Sequence, residues 1–330
     1  MSTRVLGNAD VHALLDMPGL IGAMERALQE VSRGAAAMPA RSVLPLPRAE
    51  GVLAWMPAVL EGEALFGGKA ITVYPENRTR GVHAHQGVVL LFSPADGALR
   101  AILDADAVTA RRTAAVSAVA TRALALPGAG DLALIGCGPQ SAAHLEAIAH
   151  VRDLRRVRVC SRNPRHAEDF ARRMAGRVGC GVEAVADPEQ AIRGADIVCT
   201  LTDARSPVLQ GSWLRSGAHV NAVGASVPGF REIAEDAVRR ARIYVDALEP
   251  CLAQADDLRL PIADGSLDRA AVLGEIGDVT LGRLAGRTSS EDVTLFESVG
   301  LAAEDVAAAC YAVERAEARG IGTLLEIGAA

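Results

Sequence analysis

Apolar and polar residues recur along this chain with two different periods. Between residues 18 and 33, Ile21, Met24, Leu28 and Val31 recur at helical spacing before Gly34, which predicts an amphipathic helix. Five short β-like runs then follow, separated by Gly, Pro, Asn and Asp, at 43–46, 52–56, 70–73, 88–92 and 99–103. They predict an antiparallel or mixed sheet, followed by a long Ala-rich helix over 105–126.

In the second half of the chain, strands and helices alternate. Apolar runs predict strands at 132–135, 157–160, 182–186, 197–202, 217–223 and 243–246, with helical patterns between the earlier ones. This alternation is typical of a Rossmann-type, doubly wound parallel sheet. We therefore expect an α/β protein with two domains: a Rossmann domain over 127–302, and an α+β domain formed by 1–126 together with 303–330.

The turn after the strand at 132–135 carries the clearest ligand signal. Its residues are Gly136-Cys137-Gly138-Pro139-Gln140-Ser141, and a helical pattern follows. In such a unit Gly136 permits the tight turn, Gly138 lets a pyrophosphate approach the backbone, and the helix N-terminus offers unpaired N–H groups. Ser141 takes the place of the third glycine. The unit predicts dinucleotide binding, with an ordinary turn of a parallel sheet as the alternative.

The end of the next strand bears on which dinucleotide is bound. An acidic residue there would accept hydrogen bonds from the adenosine ribose, but the chain has Ser161-Arg162-Asn163-Pro164-Arg165. Nothing in this segment repels a 2′-phosphate, and Arg162 and Arg165 can neutralise one. We expect NADP(H) to be preferred over NAD(H). The alternative is that both arginines are merely solvated.

Composition narrows the classes of partner and location. Half of the 330 residues are hydrophobic, 22% are charged and the formal net charge is -6, so we expect a globular protein that binds neither nucleic acid nor membranes. Six cysteines occur singly without a CxxC pair, which argues against a metal site or a disulfide framework. The first residues lack the apolar core of a signal peptide, and no apolar run reaches the ~18 residues of a membrane span. We expect a cytoplasmic location.

Several motifs together resemble the ornithine cyclodeaminase and mu-crystallin family over nearly the full length of the chain. They are Gly68-Lys69-Ala70, residues 82–87, residues 110–115, the Gly136 turn with Gln140, residues 221–226 before Pro228-Gly229, and residues 293–300. The resemblance implies a homodimer. Its first domain would supply substrate contacts and the dimer interface, and its second domain would bind the nicotinamide cofactor.

The resemblance also implies which side chains hold an amino or imino acid. Arg41, Lys69 and Arg112 match the cationic positions that hold its carboxylate, and an arginine can donate two parallel hydrogen bonds to such a group. Lys69 and Arg112 are the expected catalytic residues, and Lys69 is a candidate to relay the proton. Arg111 is the alternative to Arg112 as the inward-facing arginine.

Other positions match cofactor contacts of the family or follow the predicted strands, where ligands of parallel sheets bind. The expected cofactor contacts are Gln86, Arg112, Thr113, Gly136, Gly138, Pro139, Gln140, Ser161, Arg162, Asn163, Arg165, Thr202, Val223, Gly224 and Ser298. His83 and His85 lie on alternate strand positions, as metal ligands can. A third ligand is not evident, so we expect no metal.

Residue 226 separates the reactions of the family. Members that cyclodeaminate ornithine carry an aspartate where this chain has Ser226, whereas mu-crystallin-like ketimine reductases have serine. A serine hydroxyl is a poor base without an activating partner, but a cyclic ketimine already contains the C=N bond that accepts a hydride. The resemblance thus implies NADPH-dependent reduction of Δ1-pyrroline-2-carboxylate to proline and of Δ1-piperideine-2-carboxylate to pipecolate, with Ser226 as a polar wall of the substrate site. An NAD-dependent ornithine cyclodeaminase and a catalytically idle NADPH-binding protein are the alternatives.

Overall fold

A computed structural model describes residues 2–46 and 51–327 of the chain. Contacts between Cα atoms divide the chain into two units: unit 1 comprises residues 1–113 and 301–330, and unit 2 comprises residues 114–300. The sequence places this boundary at 126/127, after the long Ala-rich helix. The division by contacts falls inside that helix.

Sixteen strands and eleven α-helices are present in the described residues. The strands are β1 (Ser2–Leu6), β2 (Ala36–Ala37), β3 (Ser42–Pro45), β4 (Val52–Leu60), β5 (Phe66–Val73), β6 (His85–Phe92), β7 (Leu99–Asp104), β8 (Asp131–Ile135), β9 (Arg156–Cys160), β10 (Val182–Ala184), β11 (Ile197–Thr200), β12 (His219–Ala222), β13 (Ala241–Val245), β14 (Val272–Glu275), β15 (Val293–Glu297) and β16 (Thr323–Glu326). The helices are α1 (Asn8–Leu14), α2 (Met17–Arg33), α3 (Ala105–Leu124), α4 (Pro139–Ala149), α5 (Pro164–Met174), α6 (Pro188–Ile192), α7 (Glu235–Arg240), α8 (Leu248–Gln254), α9 (Asp256–Ala263), α10 (Ile276–Thr280) and α11 (Ala302–Arg319).

Unit 1 contains a mixed sheet with helices packed on it. Its strand order is β16-β1-β7-β6-β5-β4-β2, and β3 also pairs with β4. The β1–β7 pair is parallel and β4, β5, β6 and β7 are joined antiparallel. Helix α11 packs on α2, β4 and β5. The predicted helix at 18–33 is confirmed as α2, which Asp16 caps at its start and Gly34, with φ of 74°, ends.

Unit 2 contains an eight-stranded sheet of order β10-β9-β8-β11-β12-β15-β13-β14 in which every neighbouring pair is parallel. Strands β11, β12 and β15 are buried throughout, as expected for a sheet covered on both faces. The Rossmann-type prediction is therefore confirmed. The chain turns from one half of the sheet to the other between β8 and β11, and ligands of such sheets bind beyond the strand ends at this switch point.

Several elements were not predicted from the sequence. Strand β1 pairs in parallel with β7, about a hundred positions away, and the exposed strand β16 pairs with β1 at the sheet edge. Distant pairing of this kind leaves no local periodicity, because strand formation depends on neighbouring strands more than on intrinsic preference. Helix α3 ends at Leu124 rather than at residue 126, and β11 ends at Thr200 rather than at residue 202.

The cysteines and helices add two further observations. All six cysteines are free thiols, and Cys160, Cys199, Cys251 and Cys310 are buried, where they act as small core residues. Over residues 2–46 and 51–327, none of the helices combines the length and apolar character needed to span a bilayer.

Candidate functional site

Four ionisable side chains are buried together in unit 1, and we call them the buried ion cluster: Lys69, Arg112, Glu304 and Asp305. Lys69 Nζ lies 2.7 Å from Asp305 Oδ2. Arg112 Nε donates a hydrogen bond to Asp305 Oδ1 at 2.8 Å, and Arg112 Nη1 donates one to Glu304 Oε2 at 2.7 Å. No side chain of the cluster is more than 5% exposed. The structure thus brings the predicted residues Lys69 and Arg112 to one place.

The backbone of β5 allows Lys69 to occupy this place. Gly67 and Gly68 precede it, and a Cβ atom at Gly67 would lie 1.8 Å from the carbonyl oxygen of Leu90 on β6. At Gly68 a Cβ atom would lie 2.8 Å from the carbonyl oxygen of Met56 on β4. The two glycines therefore let β5 lie close to both neighbouring strands while Lys69 faces the helices.

Helix α3 decides between the two candidate arginines. Arg111 donates from Nε and Nη2 to the carbonyl oxygen of Leu15, at 3.2 and 2.7 Å, just after the end of α1. Arg112 instead joins the buried ion cluster. Thr109, one turn earlier on α3, accepts a hydrogen bond from Lys69 Nζ at 3.1 Å. The geometry therefore assigns Arg112 rather than Arg111 to the environment of Lys69.

Burial and neighbouring charges shift the ionisation of this cluster. Burial lowers the pKa of Lys69 from 10.5 to about 8; Asp305 opposes this shift, and the charges of Arg112 and Arg41 add to it. Arg41, half-buried in the segment before β3, therefore lies in the same electrostatic environment. Burial would raise the pKa of Asp305, but Arg112 and Lys69 outweigh it and hold that pKa below 3.8. The pair remains ionised.

The glycine turn of unit 2 has the backbone that a dinucleotide requires. Gly136 has φ of 114°, and a Cβ atom there would lie 2.7 Å from the carbonyl oxygen of Leu201. Helix α4 begins after Gly138, with Pro139 at its first position, so that its first N–H groups face the turn. Ser141 is fully buried, and neither its Oγ nor Gln140 Oε1 has a hydrogen-bond partner in the described part of the chain. The close backbone at Gly136 and the N–H groups at the start of α4 fit a bound pyrophosphate.

A cleft of about 570 Å³ borders this turn. Its lining residues are Cys137, Gly138, His166, Asp169, Arg172 and Arg173. The segment 161–165 directly precedes His166, one of these lining residues. Within it, Asn163 Oδ1 accepts a hydrogen bond from Arg165 N at 3.1 Å and caps α5. The cleft is bordered by the turn that fits the pyrophosphate.

The surroundings of Arg162 differ from those that the sequence predicts. Its Nη2 donates to Asp203 Oδ1 at 3.1 Å, while 89% of its side chain is exposed. The segment 161–165 contains no carboxylate, but the residues after β11 bring one to it. Arg162 is therefore partly neutralised, whereas the sequence treated it as facing only a 2′-phosphate or solvent.

A buried carboxylate joins the loops that follow β11 and β12. Glu232 Oε1 accepts hydrogen bonds from the backbone N–H and from Oγ1 of Thr202, both at 2.6 Å, and Glu232 Oε2 accepts one from Gly224 N at 2.8 Å. A Cβ atom at Gly224 would lie 2.2 Å from the Thr202 carbonyl oxygen. Two predicted cofactor contacts are thus held side by side. Val223 is buried and Ser226 is half-buried in the same loop.

Asp246 similarly organises the segment after β15. Its Oδ2 accepts hydrogen bonds from Ser298 Oγ at 3.1 Å, from Val299 N at 2.9 Å and from Gly300 N at 2.8 Å. Ser298 is only 2% exposed. Its hydroxyl therefore supports this segment internally, so a cofactor contact at Ser298 is left to its other atoms.

The remaining predicted residues lie in unit 1. Thr113 is buried on α3, and Gln86 is exposed on β6, where its Nε2 donates to the His83 carbonyl oxygen at 3.4 Å. The His83 ring lies 3.1 Å from Asp106 Oδ2. Within the described ranges, no group of three or more His, Cys, Asp and Glu side chains is placed to hold a metal ion.

Sequence reasoning missed Glu304, Asp305, Glu232 and Asp246. A signal for the first two was present, because Glu304 and Asp305 interrupt an otherwise apolar run from Leu301 to Cys310. Charged residues are rarely buried without partners. Two carboxylates in a helix that must be buried therefore indicate buried cations opposite it.

Comparison with known proteins identifies relatives along nearly the whole chain. It is 38% identical over 293 residues to the ketimine reductase mu-crystallin of Mus musculus, which covers 88% of this chain and 90% of that protein. It matches the structure of Thermococcus litoralis Δ(1)-pyrroline-2-carboxylate reductase in complex with NADH and L-proline with a TM-score of 0.94 and 33% identity, over 97% of this chain and 99% of that one. It also matches an archaeal alanine dehydrogenase dimer with bound NAD, with a TM-score of 0.93 and 31% identity, over 99% and 100% of the two chains.

The two solved relatives are nicotinamide-dependent oxidoreductases. Residues 1–320 match the ornithine cyclodeaminase/mu-crystallin family. With the parallel sheet, the glycine turn and the buried ion cluster in place, the chain therefore belongs to that family.

Proposed function

We propose that this protein reduces cyclic ketimines bearing one carboxylate, Δ1-pyrroline-2-carboxylate to L-proline and Δ1-piperideine-2-carboxylate to L-pipecolate, with NADPH. The buried ion cluster carries this proposal. It holds Lys69 and Arg112 together in a buried place, and the charge of Arg41 acts on Lys69. These cationic groups favour a ligand that carries a carboxylate, to which an arginine can donate two parallel hydrogen bonds.

The proposed roles follow from the chemistry of each side chain. Arg112 and Arg41 orient the carboxylate, and Lys69 supplies the proton that the imine nitrogen needs. Ser226, in place of a carboxylate, forms a polar wall and supplies no carboxylate at this position to activate water or an attacking amine. The names of two relatives, a ketimine reductase and a pyrroline-2-carboxylate reductase, support reduction of a C=N bond.

The cofactor is assigned to the glycine turn of unit 2 and its neighbouring strand ends. When bound, the reduced nicotinamide would supply a hydride to the imine carbon. The solved relatives carry NADH or NAD, which supports a nicotinamide cofactor. The preference for the phosphorylated form rests on Arg162 and Arg165, and on the absence of an acidic residue in segment 161–165. We also propose a homodimer, as in the archaeal alanine dehydrogenase structure.

The test is oxidation of NADPH by the purified full chain, followed by absorbance, with each imine in turn and NADH in parallel. We expect turnover with at least one imine, a higher kcat/KM with NADPH than with NADH, and L-proline or L-pipecolate as the product. Absence of turnover with either imine overturns the proposal. Ammonia release from ornithine without net cofactor oxidation would identify a cyclodeaminase instead, and NADPH binding without any turnover would identify an idle binding protein.

A further inference from the structure

Lys69 is the only lysine in this protein. The 34 Lys and Arg residues of the 330-residue chain comprise 33 arginines and this one lysine. It is also one of the most buried basic residues, with 3% of its side chain exposed. The chain thus uses arginine at every other basic position, including the buried Arg112 beside it.

Charge pairing alone does not explain a lysine at this place. A guanidinium group suits a buried ion pair better, because it is planar, weakly hydrated and offers several donors. It cannot lose its proton near neutral pH, whereas an ammonium group can. The property that distinguishes Lys69 from the neighbouring arginines is therefore its ability to give up a proton.

The contacts of Lys69 aim its ammonium group. An ammonium group has three N–H donors. In the described part of the chain, Asp305 Oδ2 lies 2.7 Å from Nζ and Thr109 Oγ1 accepts a hydrogen bond from it at 3.1 Å. Asp305 is itself fixed, since its Oδ1 accepts a hydrogen bond from Arg112 Nε. Thr109 takes one donor and Asp305 holds the group by charge, so the ammonium group keeps donor capacity for a ligand.

We propose that Asp305 is a positioning residue that keeps Lys69 protonated and correctly aimed, so that Lys69 donates the proton to the imine nitrogen. The inference rests on the proposed function. In the step, an N–H bond of Lys69 breaks and an N–H bond forms on the imine nitrogen, while a bound reduced nicotinamide would supply the hydride for the imine carbon and would itself be oxidised. The C=N double bond becomes a single bond, and neutral Lys69 regains a proton from water.

The charges around Lys69 agree with this division of roles. Burial, Arg112 and Arg41 lower its pKa, and Asp305 raises it, to a value of about 8. Among the described residues, these three are charged groups that act on Lys69, from α11, α3 and the segment before β3. Glu304 Oε2 contacts Arg112 Nη1 at 2.7 Å. Loss of the Asp305 charge should therefore deprotonate Lys69 near neutral pH, while loss of the Glu304 charge should affect it less.

A single lysine makes the ionisation directly observable without turnover. Protein carrying ¹³C-labelled lysine and no lysine-containing tag should show one lysine ε-CH₂ signal, which K69R removes. We expect this signal to titrate near pH 8 in the wild type, about one pH unit or more lower in Asp305→Asn, and close to the wild-type midpoint in Glu304→Gln. An unchanged or raised midpoint in Asp305→Asn overturns the inference.

Kinetics supply the second arm. We expect kcat/KM for imine reduction to fall at high pH with an apparent pKa that follows the NMR midpoint in the wild type, Asp305→Asn and Glu304→Gln. An apparent pKa that does not follow the midpoint overturns the role of Lys69 as donor. Asp305→Glu keeps the negative charge and replaces Asp305→Asn if that variant does not fold. We expect its NMR midpoint to stay near that of the wild type while its turnover falls. Undiminished turnover would contradict a positioning role for Asp305. Wild-type protein that titrates as expected but turns over neither imine refutes the proposed function separately.

Discussion

Lys69 Nζ and Asp305 Oδ2 lie 2.7 Å apart, and neither side chain is more than 3% exposed. The two residues are separated by more than two hundred positions, and the packing of α11 on β5 joins them. Arg112 and Lys69 keep Asp305 ionised, and Asp305 in turn opposes the loss of the Lys69 proton that burial and Arg112 favour. A change at any of the three residues should therefore affect the other two.

Replacement of Lys69 by arginine retains the positive charge but removes the amine that can release a proton. We expect kcat for imine reduction to fall about 10²–10⁴-fold, the usual contribution of a positioned general acid. Binding of NADPH, followed by its fluorescence, should be nearly unchanged. The control is Arg100→Lys, which makes the reverse change at an exposed position of β7 and should behave like the wild type. Normal turnover in Lys69→Arg would show that no proton comes from this residue.

Loss of Arg112 should destabilise the protein strongly. In Arg112→Met the carboxylates of Glu304 and Asp305 lose a partner in a fully buried place, and breaking a buried pair costs about 3–5 kcal/mol. Arg172→Met breaks an exposed pair with Asp169 and should cost about 0–1 kcal/mol. Urea unfolding measures both, and equal losses in the two variants would contradict the burial of the cluster.

The two glycines of the turn should respond differently to alanine. Gly136→Ala places a Cβ atom 2.7 Å from the Leu201 carbonyl oxygen at a φ of 114°, so we expect thermal stability and NADPH binding both to decrease. At Gly138 a Cβ atom meets no protein atom within 4 Å. Gly138→Ala should therefore leave the melting temperature nearly unchanged and weaken only cofactor binding. If Gly138→Ala binds NADPH normally, the pyrophosphate does not approach this residue.

Stability should decrease on acidification because of His144. Burial lowers the pKa of His144 from 6.5 to about 4, although its hydrogen bond with the Gln140 carbonyl oxygen opposes this shift. The unfolded chain binds a proton below pH 6.5 that the folded protein accepts only near pH 4, so this contribution is present above pH 6.5 and lost as the pH falls to about 4. The wild type should lose about 3 kcal/mol more over this range than His144→Gln.

Urea unfolding at several pH values measures this difference. His166→Gln, which removes an exposed histidine, is the matched control and should follow the wild type. His219 is buried as well and burial lowers its pKa to about 3, so it acts in the same direction and remains in every variant. Parallel pH curves for the wild type and His144→Gln would refute the assignment to His144.

The preference for NADPH should depend on the segment after β9. We expect Arg165→Gln to lower the ratio of kcat/KM with NADPH to that with NADH by about 10- to 100-fold, since a hydrogen bond to a charged group contributes about 1.5–3 kcal/mol. Asp203→Asn removes the carboxylate that pairs with Arg162 and should raise this ratio. Arg193→Gln, at an exposed position after α6, is the control. If the ratio is unchanged in both Arg165→Gln and Asp203→Asn, either the 2′-phosphate does not bind at this segment or the enzyme does not prefer NADPH.

Local patterns were sufficient to predict much of this molecule. The helix from Met17 to Arg33, the Gly136 turn and the alternation that forms the parallel sheet depend on residues close together in sequence. The resemblance singled out Lys69 and Arg112 from short motifs. The place of Arg112 in a motif favours it over Arg111, and the contacts of helix α3 supply the physical reason: Arg111 meets the Leu15 carbonyl oxygen, whereas Arg112 meets Glu304 and Asp305.

The amino-acid sequence by itself determined most of the elements, the fold class and the residue types available for chemistry, because turn geometry and side-chain period act over a few residues. Only the tertiary structure decided their partners: Asp305 for Lys69, Glu304 for Arg112, Glu232 for the loops at Thr202 and Gly224, and Asp203 for Arg162. The ionisation of a buried group depends on desolvation and on charges within a few ångströms. Those distances exist only once distant segments have packed together.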